Sequence, residues 1–517
     1  MIRDVTVYEV VSEAARLWPD GLALTSGDRS WTFTELLAEA HAMAGKMHSL
    51  GVGKGDHVAV WAANLPEWIF LEFGLARIGA VLVTVNTAFG SEDLAYLLDH
   101  SDAKVLLAGR EARGHDFMAV LGAVDRSALP RLEHVVLLEG GEADDAVALD
   151  ALSNDYDSVP PLDVALDDCI NMQYTSGTTG FPKGVMLSSR NIVNNGYRTG
   201  KSFGVTPDDR VLCQVPLFHC FGCVVVVLGA YTHGASIHLT RAFDPADSID
   251  TILRHEITAV HGVPTMFHAL CVHAKERGVR VETVRSGIMA GASCPPSLVR
   301  QVATDLAIPG IAPGFGLTES SPAVTFADPH MDLDRRCHTI GDPVEETEVR
   351  LVDPVTGAVG DHGEVHVRGE QVMLGYYKNP EATAATVDDD GWLHTGDLAV
   401  RNDQGDLDIN GRIKEMIIRG GENVYPAEVE EAMRGLPGIV DVAAFGIPDP
   451  VLGETVAVAI VPAEGAAFDT ATVKEKLAGR IGKSKIPAAV FSVESLPMTA
   501  SGKIKRYQLT ERFGETS

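Results

Sequence analysis

Residues 174–185 read YTSGTTGFPKGV. The stretch holds three glycines, four serine or threonine hydroxyls, one proline and one lysine. An apolar run, DDCINMQ at 167–173, leads into it, and LSSRNIVNNGYRTG at 187–200 follows with helical character. A glycine-rich loop leaving a strand for a helix makes an anion cradle: backbone N–H groups converge and the helix N-terminus adds partial positive charge. Thr175, Ser176, Thr178 and Thr179 add hydroxyl donors, Gly177 and Gly180 give the backbone freedom to approach a ligand, and Lys183 supplies a cation. The loop therefore suits a polyphosphate. It is not a Walker A loop, because G-x-x-x-x-G-K-[ST] is absent.

Outward from this loop, the chain is too long for one core. Its 517 residues predict two or more domains. A net charge of −29 disfavours nucleic acid and anionic membrane surfaces as partners, and an anionic substrate would need a locally basic site. The seven cysteines are scattered and odd in number, which suits a reducing compartment. The cluster HCFGC, with His219, Cys220 and Cys223, lacks a second ligand pair and does not complete a metal site. The opening residues carry early acids and no long apolar core, so no secretory signal is expected, and CFGCVVVVLGAY is too short to span a bilayer. These features together point to a cytoplasmic protein without a transmembrane segment.

Upstream of the loop, DHVAVWAA, AVLVTVN and AKVLLA read as strands separated by the helical stretches PEWIFLEFGLARIG and SEDLAYLLDHS. That β-α-β-α-β order predicts an α/β fold with helix-covered, largely parallel sheets. The rhythm resumes after the loop in RVLCQVP, GASIHL, ITAVHG and SGIMAG. From about residue 340 short strands with polar turns (TEVRLVD, GEVHVRG, DLAVRNDQGDLDINGR) predict a β-rich subdomain over 340–413. From Lys414 onward helices and strands alternate in a compact α+β unit, giving expected domains of 1–413 and 414–517.

Five further stretches follow downstream: PLFHCFG at 216–222, GFGLTESSP at 314–322, GWLHTGDLA at 391–399, GRIKEMIIRGGENVYPAEVE at 411–430 and PMTASGKIKR at 497–506. With the opening loop, and in this order, they resemble the motifs of the adenylate-forming enzymes, which include acyl-CoA synthetases, luciferases and peptide-synthetase adenylation domains. The wording of PLFHCFG and HGVPTMF is most similar to medium-chain and related acyl-CoA ligases. The resemblance implies ATP, Mg2+ and coenzyme A as cofactor and co-substrates, and a small, mobile C-terminal domain.

Carried over residue by residue, the resemblance implies that Thr318 contacts phosphate and Glu319 holds Mg2+, consistent with the preference of hard cations for oxygen. Phe315 stands where the family usually has tyrosine and would stack on adenine beside Gly316, with Gly291 and Ala292 as the opposite wall. Asp397 would accept the ribose hydroxyls, Arg412 would be a second ribose or phosphate contact, and Lys414 the hinge. Lys503 would be the adenylation lysine, bridging a substrate carboxylate and the α-phosphate. Gly420 and Gly421 would line the path of the pantetheine thiol. His219, Phe221, Met266 and Met289 would line an acyl pocket for an uncharged carboxylic acid of medium-chain, branched or cyclic form. No acid stands where amino-acid-activating domains hold an α-amine, and no room follows for a carrier domain, so CoA is the expected acceptor; a separate carrier protein and a non-catalytic nucleotide-binding relative are the alternatives. Relatives are often homodimers, but no stretch here marks an interface.

Overall fold

The computed structural model describes residues 2–140, 146–175, 182–420, 422–434, 436–498 and 504–514. Two large sheets form the body. In the first, the strands Cys169–Thr175, Val81–Thr84, His57–Trp61, Val105–Ala108, His134–Leu137 and Ala146–Ala148 run parallel in that spatial order. Antiparallel Lys183–Ser188 and Gly375–Tyr376 extend one edge. In the second, Leu22–Ser26, Ser236–Leu239, Arg210–Cys213, Ala259–Val260, Ser286–Met289 and Gly310–Gly316 run parallel, and Ala323–Phe326 returns antiparallel. The parallel strands read as near-continuous apolar runs because helices cover both of their faces.

Local chemistry sets the helices that pack on these sheets. Pro66–Ile78 begins with proline in its first turn and stops at Gly79, whose φ of +71° favours glycine. Ser189–Ser202 begins at a reciprocal cap between Ser188 and Asn191. This helix is buried on almost every side although it is polar, so its amides need partners. Asn195 exchanges hydrogen bonds with both the N–H and the C=O of Ala323, at 3.0 and 2.8 Å. Asn191 Nδ2 donates to Val372 O at 3.0 Å, and the buried Arg198 pairs with Glu346 and Glu370. One helix thereby ties together Ala323, just after the turn that carries Glu319, and the later segments at Glu346 and 370–372.

The β-rich part is an antiparallel sheet in the order Val359–Gly360, Glu348–Val352, His362–Arg368, Leu393–Arg401, Leu407–Arg412. After it, Ile417–Arg419, Glu422–Val424, Ile439–Asp449, Gly453–Pro462 and Ala489–Ser492 form a separate sheet. Its two faces carry two apolar clusters, around Val429, Met433 and Ile460 on one side and Phe445, Leu496 and Leu509 on the other. The expected architecture, a large α/β body with a β-rich part and a smaller C-terminal α+β domain, is the one observed. One local expectation fails. The glycine-rich loop does not run into a helix; Lys183–Ser188 intervenes as a strand paired antiparallel with Cys169–Thr175. The helix cap at Ser188 lies five residues beyond Lys183, too far for its dipole, which falls off within a turn, to act on a phosphate held by the loop.

Candidate active site

The loop therefore closes a two-stranded ribbon, with Thr175 opposite Lys183 at its mouth. Ser176, Gly177, Thr178, Thr179 and Gly180 lie outside the described residues. Both flanks are anchored to one helix, Ser91–His100: Tyr96 Oη–H donates to Pro182 O at 3.1 Å, and Tyr174 Oη lies 2.8 Å from His100 Nδ1. The Lys183 ammonium stands 4.7 Å from the centre of the Tyr376 ring, a cation–π contact. Tyr376 reaches this place because Gly375–Tyr376 pairs with Met186 and Val185 on the ribbon's outer edge.

Tyr376 also joins the loop to Glu319. Its Oη–H donates to Glu319 Oε1 at 2.8 Å, while Met373 N–H donates to Glu319 O at 2.9 Å. Burial, followed by the field of Glu319, pushes the Tyr376 phenol well above its ordinary range, so it remains a donor at neutral pH. Glu319 sits on the short 3₁₀ turn Thr318–Ser320 between the paired strands Gly310–Gly316 and Ala323–Phe326. A carboxylate of this kind, fixed by one phenol, has the oxygen chemistry that Mg2+ prefers. Gly316 is required by close approach: a Cβ there would stand 2.1 Å from Pro322 O. Phe315 is half-buried, its ring against the core of the β-rich part. Gly291, with φ +86°, and Ala292 follow the neighbouring parallel strand Ser286–Met289 and are exposed beside it.

Thr318 is buried and meets the 216–222 stretch, with Cys220 Sγ 3.8 Å from Thr318 Oγ1. Gln173, two residues before Thr175, accepts from Cys220 N–H at 2.8 Å and donates to Cys223 Sγ at 3.3 Å. Gln173 and Tyr376 are thus junction residues that sequence reasoning missed. His219 is half-buried, and its Nδ1 accepts from Phe221 N–H at 3.1 Å, turning the ring back on the start of the following helix. That helix, Phe221–Leu228, is a fully buried π-helix, a form that recurs at functional sites. Phe221 and Met266 pack in one apolar cluster. Met289 does not join them. Alternation along Ser286–Met289 sends Ile288 to that cluster and Met289 to the opposite face, among Phe267, Leu270 and Leu298.

Asp397 and Arg412 face each other across adjacent antiparallel strands, and Arg412 Nε donates to Asp397 Oδ1 at 2.8 Å. The carboxylate is 4% exposed, whereas the Arg412 side chain is half open to solvent. The negative field of Asp397, then of Glu415 and Glu319, holds the Arg412 guanidinium above its ordinary value. Lys414 is exposed in the turn Ile413–Glu415. Gly420, φ +59°, begins the two-residue turn between Arg419 and Glu422, where such a φ favours glycine. Gly421 and Lys503 lie outside the described residues. The flanks of Lys503 are held: Met498 pairs with Ile504, and Lys505 N–H donates to Pro497 O at 2.8 Å. Arg506 anchors this segment through Glu415, Glu430 and the carbonyl of Ala444, at 2.8, 2.7 and 3.1 Å.

Both strands flanking the loop, Glu319, Thr318 and the start of the apolar helix are thus brought together from distant parts of the sequence. The comparisons with known proteins agree. Residues 11–377 match the family model described as AMP-binding enzyme, and residues 428–503 match the AMP-binding enzyme C-terminal domain. The chain belongs to the AMP-binding enzyme family. It is 38% identical to the putative acyl-CoA synthetase YngI of Bacillus subtilis (strain 168), over 98% of this chain and 97% of that one. It is 32% identical to the mitochondrial medium-chain acyl-CoA ligase ACSF2 of Danio rerio, over 99% and 89%. The solved structure of the anthranilate CoA ligase AuaEII in complex with anthranoyl-AMP superposes with a TM-score of 0.89 at 25% identity, covering 100% of this chain and 98% of that one. The activity is ATP-dependent acyl-CoA ligation, an AMP-forming acid–thiol ligase reaction that uses Mg2+ and coenzyme A. Among the described residues no helix is long and apolar enough to cross a membrane.

Proposed function

We propose that this ligase activates an apolar carboxylic acid of medium-chain, branched or cyclic form, and that the residues brought together above divide the labour. The observation that carries the reading is the junction at Thr318, where the strand of the phosphate loop (through Gln173), the start of the apolar π-helix (through Cys220) and the Glu319 turn meet. An acid lying along Phe221 and Met266 would present its carboxylate beside that junction. The relative named a medium-chain acyl-CoA ligase supports the substrate class.

In this reading Thr175, Ser176, Gly177, Thr178, Thr179, Gly180 and Lys183 hold the β- and γ-phosphates, with Thr318 as a further phosphate contact. Phe315, Gly316, Gly291 and Ala292 enclose the adenine, and Asp397 and Arg412 bind the ribose. Glu319 holds Mg2+, oriented by the phenol of Tyr376; the ion supplies charge neutralisation on the phosphates. Lys503 bridges the incoming carboxylate and the α-phosphate, offsetting the repulsion of two anions. The carboxylate oxygen attacks the α-phosphorus and pyrophosphate leaves; the CoA sulfur then attacks the acyl carbon and AMP leaves. Residues 414–517 form the mobile domain, turning about Lys414 to replace Lys503 with the Gly420–Gly421 turn between the two steps. None of the seven cysteines is in a disulfide, which supports a reducing, cytoplasmic setting.

Pyrophosphate release and thioester formation across linear, branched, alicyclic and aromatic acids test the substrate class; preference for short or charged acids overturns it. Lys503→Ala should lower adenylate formation by about 10²–10³-fold yet still pass a supplied acyl-adenylate to CoA, and Gly421→Leu should do the reverse. Equal loss of both steps in both variants would refute the division of roles.

A further inference from the structure

The β-rich part carries a group of side chains that the ligase reaction does not use. His366 and His394 are directly opposed on the adjacent antiparallel strands His362–Arg368 and Leu393–Arg401. Their imidazole rings stack with centroids 4.0 Å apart and planes 18° from parallel. Glu364 Oε2 lies 3.2 Å from His366 Nε2. One donor atom from each of Glu364, His366 and His394 lies within 4.8 Å of those of the other two.

We propose that Glu364, His366 and His394 form a second divalent-cation site, selective for a borderline ion such as Zn2+ and chemically distinct from the oxygen position at Glu319. Two imidazole nitrogens with one carboxylate oxygen suit Zn2+ and not Mg2+ or Ca2+. Donors around a tetrahedral Zn2+ stand about 3.3 Å apart, given bonds near 2.0–2.1 Å, so binding draws together donor atoms that now lie within 4.8 Å and opens the stacked rings. His366 is almost fully buried and His394 is about one-third open, which leaves one side for a solvent ligand.

The surroundings are those of a ligand set held from behind. Gly396 N–H donates to Glu364 Oε1 at 2.8 Å, which orients the other oxygen toward His366. Asp388 Oδ2 lies 3.5 Å from His394 Nε2 and offers a further oxygen. One group opposes the ion: Arg350 Nη2 is 3.4 Å from His366 Nδ1. An ion on His366 Nε2 places the ring proton on Nδ1, so this contact must break. Arg350 has other partners to keep, the Trp392 ring at 4.1 Å and Asp388 at 3.7 Å.

The test titrates the chelator-treated, full-length protein with Zn2+ by calorimetry. One equivalent should bind with micromolar affinity and raise Tm. His366→Gln and His394→Gln should each weaken binding by at least about tenfold, Arg350→Gln should tighten it, and His330→Gln, at an exposed histidine elsewhere, should leave it unchanged. Should the histidine variants fail to fold, diethyl pyrocarbonate labelling of the unmutated protein, mapped by mass spectrometry, replaces them: Zn2+ should protect the accessible His394 and leave His330 labelled. The proposal is overturned if the unmutated protein shows no saturable Zn2+ site, if one-equivalent binding survives in the His366→Gln/His394→Gln double variant, or if Zn2+ does not protect His394. These readouts do not depend on acid, ATP or CoA, so they fail or succeed independently of the proposed roles in ligation.

Discussion

Two arginine–carboxylate pairs of nearly equal length sit in the two parts of this enzyme, and they do different things. In the C-terminal domain Arg506 meets Glu430 at 2.7 Å, Glu415 at 2.8 Å and the carbonyl of Ala444. Glu430, 1% exposed, also accepts from Ala444 N–H at 2.9 Å. Burial works against the Arg506 charge, and Glu430 with Glu415 outweighs it. In the body, Arg412 meets Asp397 at 2.8 Å with its guanidinium half open to solvent. The first pair is enclosed and multiply bonded, so it fixes the start of the helix Arg506–Gly514. The second leaves its guanidinium half open to solvent, and in the proposed reading a ligand replaces that solvent. Pair distance alone does not separate a structural ion pair from a binding one; enclosure and the number of partners do.

The strongest way to break this contrast is Arg506→Ala. Glu430 would be left buried with its guanidinium partner gone, and the C-terminal domain should lose about 3–5 kcal/mol, read as an early unfolding transition in a denaturant titration; a change within error would place Arg506 with the surface pairs. Asp397→Asn should leave stability nearly unchanged but raise the KM for ATP by about tenfold to a hundredfold, the worth of hydrogen bonds to a charged group at about 1.5–3 kcal/mol. A loss of Tm without a change in KM would reverse the assignment. Tyr376→Phe should weaken Mg2+-dependent pyrophosphate release by about 1 kcal/mol, roughly fivefold, because Glu319 loses the phenol that orients it; unchanged Mg2+ dependence would remove Tyr376 from the site.

The smallest effect concerns a carboxyl group with neither kind of partner. Glu72, on the helix Pro66–Ile78, is 3% exposed, and neither of its carboxyl oxygens has a hydrogen-bond partner. Burial raises its pKa well above the ordinary 4.5. The folded protein therefore favours the neutral acid, and its contribution is fully retained below the unfolded value. As pH rises above about 4.5, the unfolded chain ionises first and stability falls until the folded pKa is passed. Glu72→Gln should accordingly raise Tm at alkaline pH, and the gap should shrink as pH is lowered. A gap independent of pH would show that Glu72 is ionised in the fold.

The alternation of apolar runs and helices before residue 340, and the hairpins after it, were legible because each rests on local periodicity. The six motif stretches were legible as a family resemblance for the same reason: each is short and contiguous. What joins them was not. Tyr376 reaches Glu319 only because a two-residue strand pairs with the ribbon edge, 57 residues further along the chain. Gln173 reads as one more residue of a strand until Cys220 is folded onto it. Arg506 looks like the end of a basic tail, since nothing local announces the buried Glu430 that receives it. The strand Lys183–Ser188 is masked by its lysine, glycine and terminal serine, which read as part of the polar loop and suggest a helix dipole that the loop does not have. Met289 packs on the face away from Phe221 and Met266 through a one-residue choice of face, which only the sheet's orientation decides.

The wide winding of residues 221–228 bears on how such an enzyme changes its diet. A π-turn holds more residues than an α-turn in the same span, so one valine of the VVVV run could be deleted and the backbone could tighten without shifting the chain on either side. In the proposed reading the wall of the acid pocket would then be rotated, while Gln173 kept its hold on Cys220 at the helix entrance. A length change of this kind offers evolution, or an engineer, a route to a new cargo that leaves the nucleotide machinery untouched.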